Sequence, residues 1–172
     1  MATCMQALMT LLTLAASASS AAAAEAAQSP LTGTWQLVRF ENSSPAGVVT
    51  KPYGEKPKGY FVYDNTGHLS VQIMATPPVP KFAAVDEGKS DTAAQGTEAE
   101  IRKAFSSYVA YFGTWRVNES GTVVTHVVEG ALDPSYTDTD QPRPFKLTGD
   151  KLVIEIQDPV FGRAYRELRR VR

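Results

Sequence analysis

The sequence predicts an all-β fold in which eight antiparallel strands close into a barrel, with one α-helix inserted between the third and fourth strands. Three observations carry this reading. Short apolar runs recur from Leu31 onward, turn-forming residues fill three of the gaps between them, and a single segment shows helical spacing.

Candidate strands fall at residues 34–40, 58–63, 69–74, 111–117, 122–129, 143–148, 151–157 and 163–171. Asp64-Asn65-Thr66-Gly67, Asn118-Glu119-Ser120-Gly121 and Thr148-Gly149-Asp150 each separate two such runs. These residue types bond their own backbone or accept positive φ, so they predict three hairpins. Short strands joined by hairpins leave sheet edges, and barrel closure removes them.

The helix is placed by its start signal and its stripe. Residues 74–96 contain Pro77, Pro78 and Pro80, which block regular structure. Thr97-x-x-Glu100 then has the form of a capping box. Ile101, Ala104, Phe105 and Tyr108 follow at i, i+3, i+4 and i+7, one apolar stripe on a helix ending near Val109. Such a helix lids or plugs the barrel, or packs on its outside.

Leu31-Thr32-Gly33-Thr34-Trp35 and Tyr111-Phe112-Gly113-Thr114-Trp115 both place Gly-Thr-Trp at a strand start. The repeat suggests one device used twice: a glycine, then a large ring turned inward.

Composition bounds function mainly by exclusion. The chain has 172 residues, 17 basic and 18 acidic, for a formal net charge of −1. That balance gives no electrostatic case for nucleic acid or an anionic membrane surface. Residues 1–24 carry no charged side chain, hold an apolar run at 8–16, and end in Ala22-Ala23-Ala24. This reads as a signal peptide, followed by a linker at 25–30 and one domain at 31–172. The expected product is exported, to a periplasm or the outside, with no stable membrane insertion after cleavage. Cys4, the only cysteine, lies in the leader, so the mature chain is expected to lack disulfides and to depend on its hydrophobic core. With two histidines, no metal site is expected. No dinucleotide, phosphate-loop, nucleophile-elbow or zincin motif appears, and no cofactor is expected.

Several motifs then occur in a fixed order. They are Gly33-Thr34-Trp35 with Leu37-Val38; Pro57-x-Gly59-Tyr60; Tyr63 to Gly67 with Leu69-Ser70-Val71-Gln72; Tyr108-x-x-Tyr111-Phe112-Gly113-Thr114-Trp115; and His126-Val127-Val128-Glu129 with Arg143 and Gly149-Asp150-x-Leu152. In this order they resemble the bacterial and fungal lipocalin-like domain family, over about residues 31–172. The resemblance implies a small calycin-type barrel with an internal cavity. It also implies that Gly33 and Trp35, with Trp115, are structural, and that a late arginine, Arg170 or Arg172, packs across the Trp35 ring as a cation–π contact.

Candidate ligand-binding residues are Tyr60, Gln72, Tyr108, Tyr111, His126 and Arg143. His126 shares a strand face with Val124 and Val128. Facing inward, it would have a depressed pKa and could hold a ligand or move a proton; the alternative is a core histidine satisfied by a backbone group or a Tyr hydroxyl. Glu129 falls on the opposite face unless a bulge intervenes, so periodicity supports no His126–Glu129 dyad. Arg143 could take a ligand carboxylate or pair with Glu129 or Asp140. Tyr60, Tyr108 and Tyr111 supply phenols near the core, and Gln72 shares a face with Ser70 and Met74. His68, at a turn, is expected to be exposed.

The leading expectation is a binding module for a small hydrophobic or amphipathic molecule. A cofactor-independent isomerase, cyclase or lyase with His126 as the proton carrier is the alternative. A structural envelope protein with a filled barrel is a third.

Overall fold

A computed structural model of the chain describes residues 29–82 and 96–172. Within them lie nine strands, one helix and one 3-10 turn. The strands are β1 (Gly33–Ser43), β2 (Val49–Thr50), β3 (Lys58–Tyr63), β4 (His68–Met74), β5 (Tyr108–Val117), β6 (Val123–Ala131), β7 (Thr139–Thr148), β8 (Lys151–Asp158) and β9 (Gly162–Arg170); α1 spans Glu98–Ser106. Each strand from β3 to β9 pairs antiparallel with the next. β1 pairs with β3 on one side and β9 on the other, which closes an eight-stranded barrel. β2 is a two-residue flap on the far end of β1. The proposed signal peptide and linker, residues 1–30, lie almost wholly outside the described residues.

Alternation directs the core. In β4, Leu69, Val71 and Ile73 are buried, while His68, Ser70, Gln72 and Met74 face away. In β1 the register shifts between Leu37 and Arg39, and this bulge lets both Leu37 and Phe40 turn inward. The hairpins form where turn chemistry places them. Asp64 Oδ1 accepts from the backbone of Thr66 and His68, each at 2.8 Å, and these bonds hold its carboxyl below the usual range. Asn118 Oδ1 accepts from Thr122 and Val123, each at 2.9 Å.

One end of the barrel is closed by Trp35, which is fully buried and donates from Nε1 to the Leu31 carbonyl at 2.7 Å. Of the two candidate arginines, Arg170 covers the ring, its Cζ 4.1 Å from the centroid. It also donates to the Thr32 carbonyl at 2.7 Å and the Pro30 carbonyl at 2.6 Å. Arg172 pairs instead with Asp150. Gly33 is required there: a Cβ would lie 2.9 Å from Arg170 Nη1, at a φ of +135°. The Gly-Thr-Trp echo is structural in kind, since Trp115 is also buried and meets the Tyr63 ring edge-on at 5.3 Å.

The helix departs from expectation at its end. Thr97 and Glu100 form the full capping box, but α1 stops at Ser106. The Ser107 amide closes the last turn, and Tyr108 pairs with Met74 as the first residue of β5. Ladder bonds to β4 outcompete another helical turn. The stripe is not buried either: Ile101 is 40% and Phe105 48% exposed. β7 likewise begins at Thr139, four residues before the strand expected at 143–148, because its residues pair with β6 and alternate inward and outward.

Candidate functional site

The barrel is not packed solid. A cavity of about 480 Å³ opens at the end opposite Trp35. Its walls are Phe40, Tyr53, Phe61, Ile73, Ile154 and Ile156; Phe105, Tyr108 and Leu132 lie at the mouth; Arg143, Arg166, Tyr111 and Tyr136 supply polar groups. A cavity of this size and lining suits a small, mostly apolar molecule with a polar end.

Arg143 reaches the interior because β7 pairs it with the buried Val124. Its guanidinium donates to Gln141 Oε1 at 3.0 Å and lies 3.5 Å from the Tyr136 hydroxyl. Neither carboxylate suggested from the sequence pairs with it. Asp140 faces outward and binds Arg116 at 2.5 Å, and Glu129 is exposed. A bulge does fall at Glu129, between Phe112–Gly130 and Gly113–Val128, yet it leaves that side chain outside and makes no dyad with His126.

Arg166 is the residue the sequence reading missed. It donates to the Glu41 carbonyl at 2.9 Å and to Asn42 Oδ1 at 3.0 Å, and its Cζ lies 3.2 Å from the Phe40 ring centroid. Burial, then the Arg143 charge, pulls its pKa down to about 10, which leaves it cationic at neutral pH. The signal was present: Arg166 is two residues before Leu168 and four before Arg170, on one strand face. Tyr53 and Tyr136 were also missed, because each lies in a connection, where period-two reasoning assigns no face.

His126 is fully buried, as its face predicts. Both ring nitrogens are taken: Nε2 by the Tyr63 hydroxyl and Nδ1 by the Tyr111 hydroxyl, each at 2.9 Å. Desolvation, reinforced by Arg143, lowers its pKa to about 3. It stands behind Tyr111 rather than on the cavity wall. The structure therefore brings Tyr111 and Arg143 to the cavity, leaves Tyr108 at its mouth, and sets His126 one layer back. Tyr60 and Gln72 are not brought to it. They pair across β3 and β4 on the outer face; Tyr60 is 46% exposed, and Gln72 donates to Ser70 Oγ at 2.5 Å. His68 is exposed, at its turn. Among the described residues no group of three or more His, Cys, Asp or Glu could hold a metal ion. No described helix is long and apolar enough to cross a membrane.

A closed antiparallel barrel, stoppered by a tryptophan under an arginine and hollow at the other end, defines a small calycin-type barrel. The chain belongs to the lipocalin-like domain family, whose sequence profile matches residues 32–163. No curated protein matches the sequence. A solved structure similar to it is the crystal structure of a mutant of the fluorescent protein UnaG, 17% identical, with a TM-score of 0.35 over 82% of this chain and 96% of that one.

Proposed function

We propose that the protein is exported and binds a small amphipathic acid in its barrel, apolar body against the aromatic and aliphatic walls and carboxylate toward Arg143 and Arg166. The observation that carries this is the pair of guanidinium groups facing one apolar cavity, neither matched to a carboxylate among the described residues. Half-buried cations without a counter-ion are costly, and a ligand anion would compensate both with charge-assisted bonds. Apolar burial adds affinity at roughly 25 cal/mol per Å² before ordering costs.

His126 offers no open nitrogen to a substrate, and its lowered pKa makes it a poor proton carrier near neutrality. The cavity itself weighs against a filled, purely structural barrel. Export rests on the uncharged, alanine-rich segment at 1–24, and terminal sequencing of the released protein tests it.

Calorimetric titration with matched pairs tests the binding reading: dodecanoate against dodecanol, and naphthaleneacetate against naphthaleneethanol. Preference for the acid in either pair is expected. Equal affinity within both pairs, or binding of none, overturns it.

A further inference from the structure

His126 bridges two tyrosines, and the count of protons in that bridge is restrictive. The imidazole is neutral, so it carries one N–H and one bare nitrogen. One tyrosine therefore donates to the ring and the other accepts from it. Tyr63 is fully buried toward the closed end, and its hydroxyl has no polar partner but Nε2 among the described residues. Were Tyr63 the acceptor, its own proton would be buried without an acceptor, which costs about 1–3 kcal/mol. With Tyr63 donating to Nε2, its hydroxyl proton is matched, and the polar atom beside it that has no partner among the described residues is a donor, the buried Trp115 Nε1, which offers that proton no acceptor.

The consequence passes through the ring. Nε2 is bare, Nδ1 holds the proton, and Nδ1–H donates to the Tyr111 oxygen 2.9 Å away. The Tyr111 proton must then find an acceptor elsewhere. Arg143, whose charge acts on Tyr111, Tyr63 and His126 alike, has no acceptor atom. Tyr111 borders the cavity. Tyr136, which accepts from Arg143, likewise keeps its own proton to give. Asp133 lies exposed at the mouth, where its Oδ1 accepts from the Ser135 amide and hydroxyl at 3.0 and 2.7 Å.

We propose that His126 is a positioning residue: as its Nδ1–H tautomer it fixes Tyr111 as a hydrogen-bond donor to the cavity. With Arg143 and Arg166 this makes the inner polar end rich in donors, selective for a bare acceptor oxygen such as a carboxylate over an alcohol, an amine or an amide N–H. The inference rests on the cavity reading above and sharpens it. An ionised acid can accept from every group there, whereas a ligand hydroxyl would bring a proton for which the inner phenol oxygens, already accepting from His126 and Arg143, are poor acceptors.

Two measurements test it. Nitrogen-15 NMR of the His126 ring in the unliganded wild-type protein is expected to show Nδ1 protonated and Nε2 bare. Tyr111→Phe is then expected to weaken dodecanoate or naphthaleneacetate binding about ten-fold or more, and to leave the matched alcohol unchanged. A variant that merely misfolds would lose both ligands, and the NMR result does not depend on it. Protonation at Nε2 overturns the proposal while leaving the arginine reading intact. The expected tautomer with undiminished acid binding in Tyr111→Phe also overturns it. A wild-type protein with no preference for the acid removes both readings together.

Discussion

The guanidinium of Arg166 lies over the Phe40 ring, Cζ to centroid 3.2 Å, and the bulge in β1 is what turns that ring inward to meet it. The contact holds a cation at the cavity wall without a carboxylate, so its charge stays available to a ligand. Arg143 reaches the same space from β7, where it donates to Gln141, the Pro142 carbonyl and, weakly, Tyr136, and acts on the Tyr111 hydroxyl.

Arg143→Ala should therefore weaken acid binding about ten-fold or more, by loss of a charge-assisted bond, with little change in the melting temperature. Alcohol binding should hold. Tyr60→Ser and Gln72→Ala, both on the outer face, should leave both affinities at the wild-type value. Calorimetry on the three variants checks this, and a loss of acid binding in Gln72→Ala would contradict the geometry.

Acid should destabilise the fold through His126. Its pKa is about 6.5 in the unfolded chain and about 3 when folded, because burial disfavours the cation. Between those values the unfolded chain binds the extra proton, so stability is full above about pH 6.5 and falls as pH drops, on the order of 1 kcal/mol per pH unit. Urea titrations across this range should show that slope, and His126→Gln should flatten it.

The closed end should be a stability hot spot. Trp35→Ala is expected to cost about 3–5 kcal/mol, since a fully buried ring is removed from a closed end. Arg170→Met should cost about 1–3 kcal/mol, losing the ring contact and two bonds to carbonyls. Thermal denaturation measures both. A change within about 0.5 kcal/mol for either would show that the end is held by other contacts.

Gly113→Ala should also destabilise, by about 1–3 kcal/mol or more. An added Cβ would lie 1.9 Å from the Val127 carbonyl oxygen, a backbone atom that cannot swing away. Chemical denaturation of that variant should show it; wild-type stability would mean that β5 and β6 can part there without loss.

Period-two alternation and turn chemistry carried most of the fold. Val124, His126 and Val128 share a face in the sequence and all three are buried. The Asp64 and Asn118 turns form where their side chains can reach backbone amides. What alternation could not supply were the breaks in it. The β1 bulge sends Phe40 inward against the simple pattern, and the start of β5 overrides a helical stripe with strand pairing. The site was half legible for the same reason. Arg143 and Tyr111 follow from strand faces. Tyr60 and Gln72 fell on the wrong side because a phenol or an amide fits either surface. Tyr53 reaches the cavity from a connection, where it meets Phe40 edge-on at 4.6 Å.

The seam between β1 and β9 joins residues more than a hundred positions apart, from Trp35–Arg170 to Ser43–Arg163. During synthesis β1 therefore has one bare ladder edge until almost the entire chain has emerged. A nascent or C-terminally clipped molecule would present two such edges, on β1 and β8, each a template for pairing with another chain. Loss of β9 alone would thus turn a self-contained ring into an aggregation-prone ribbon.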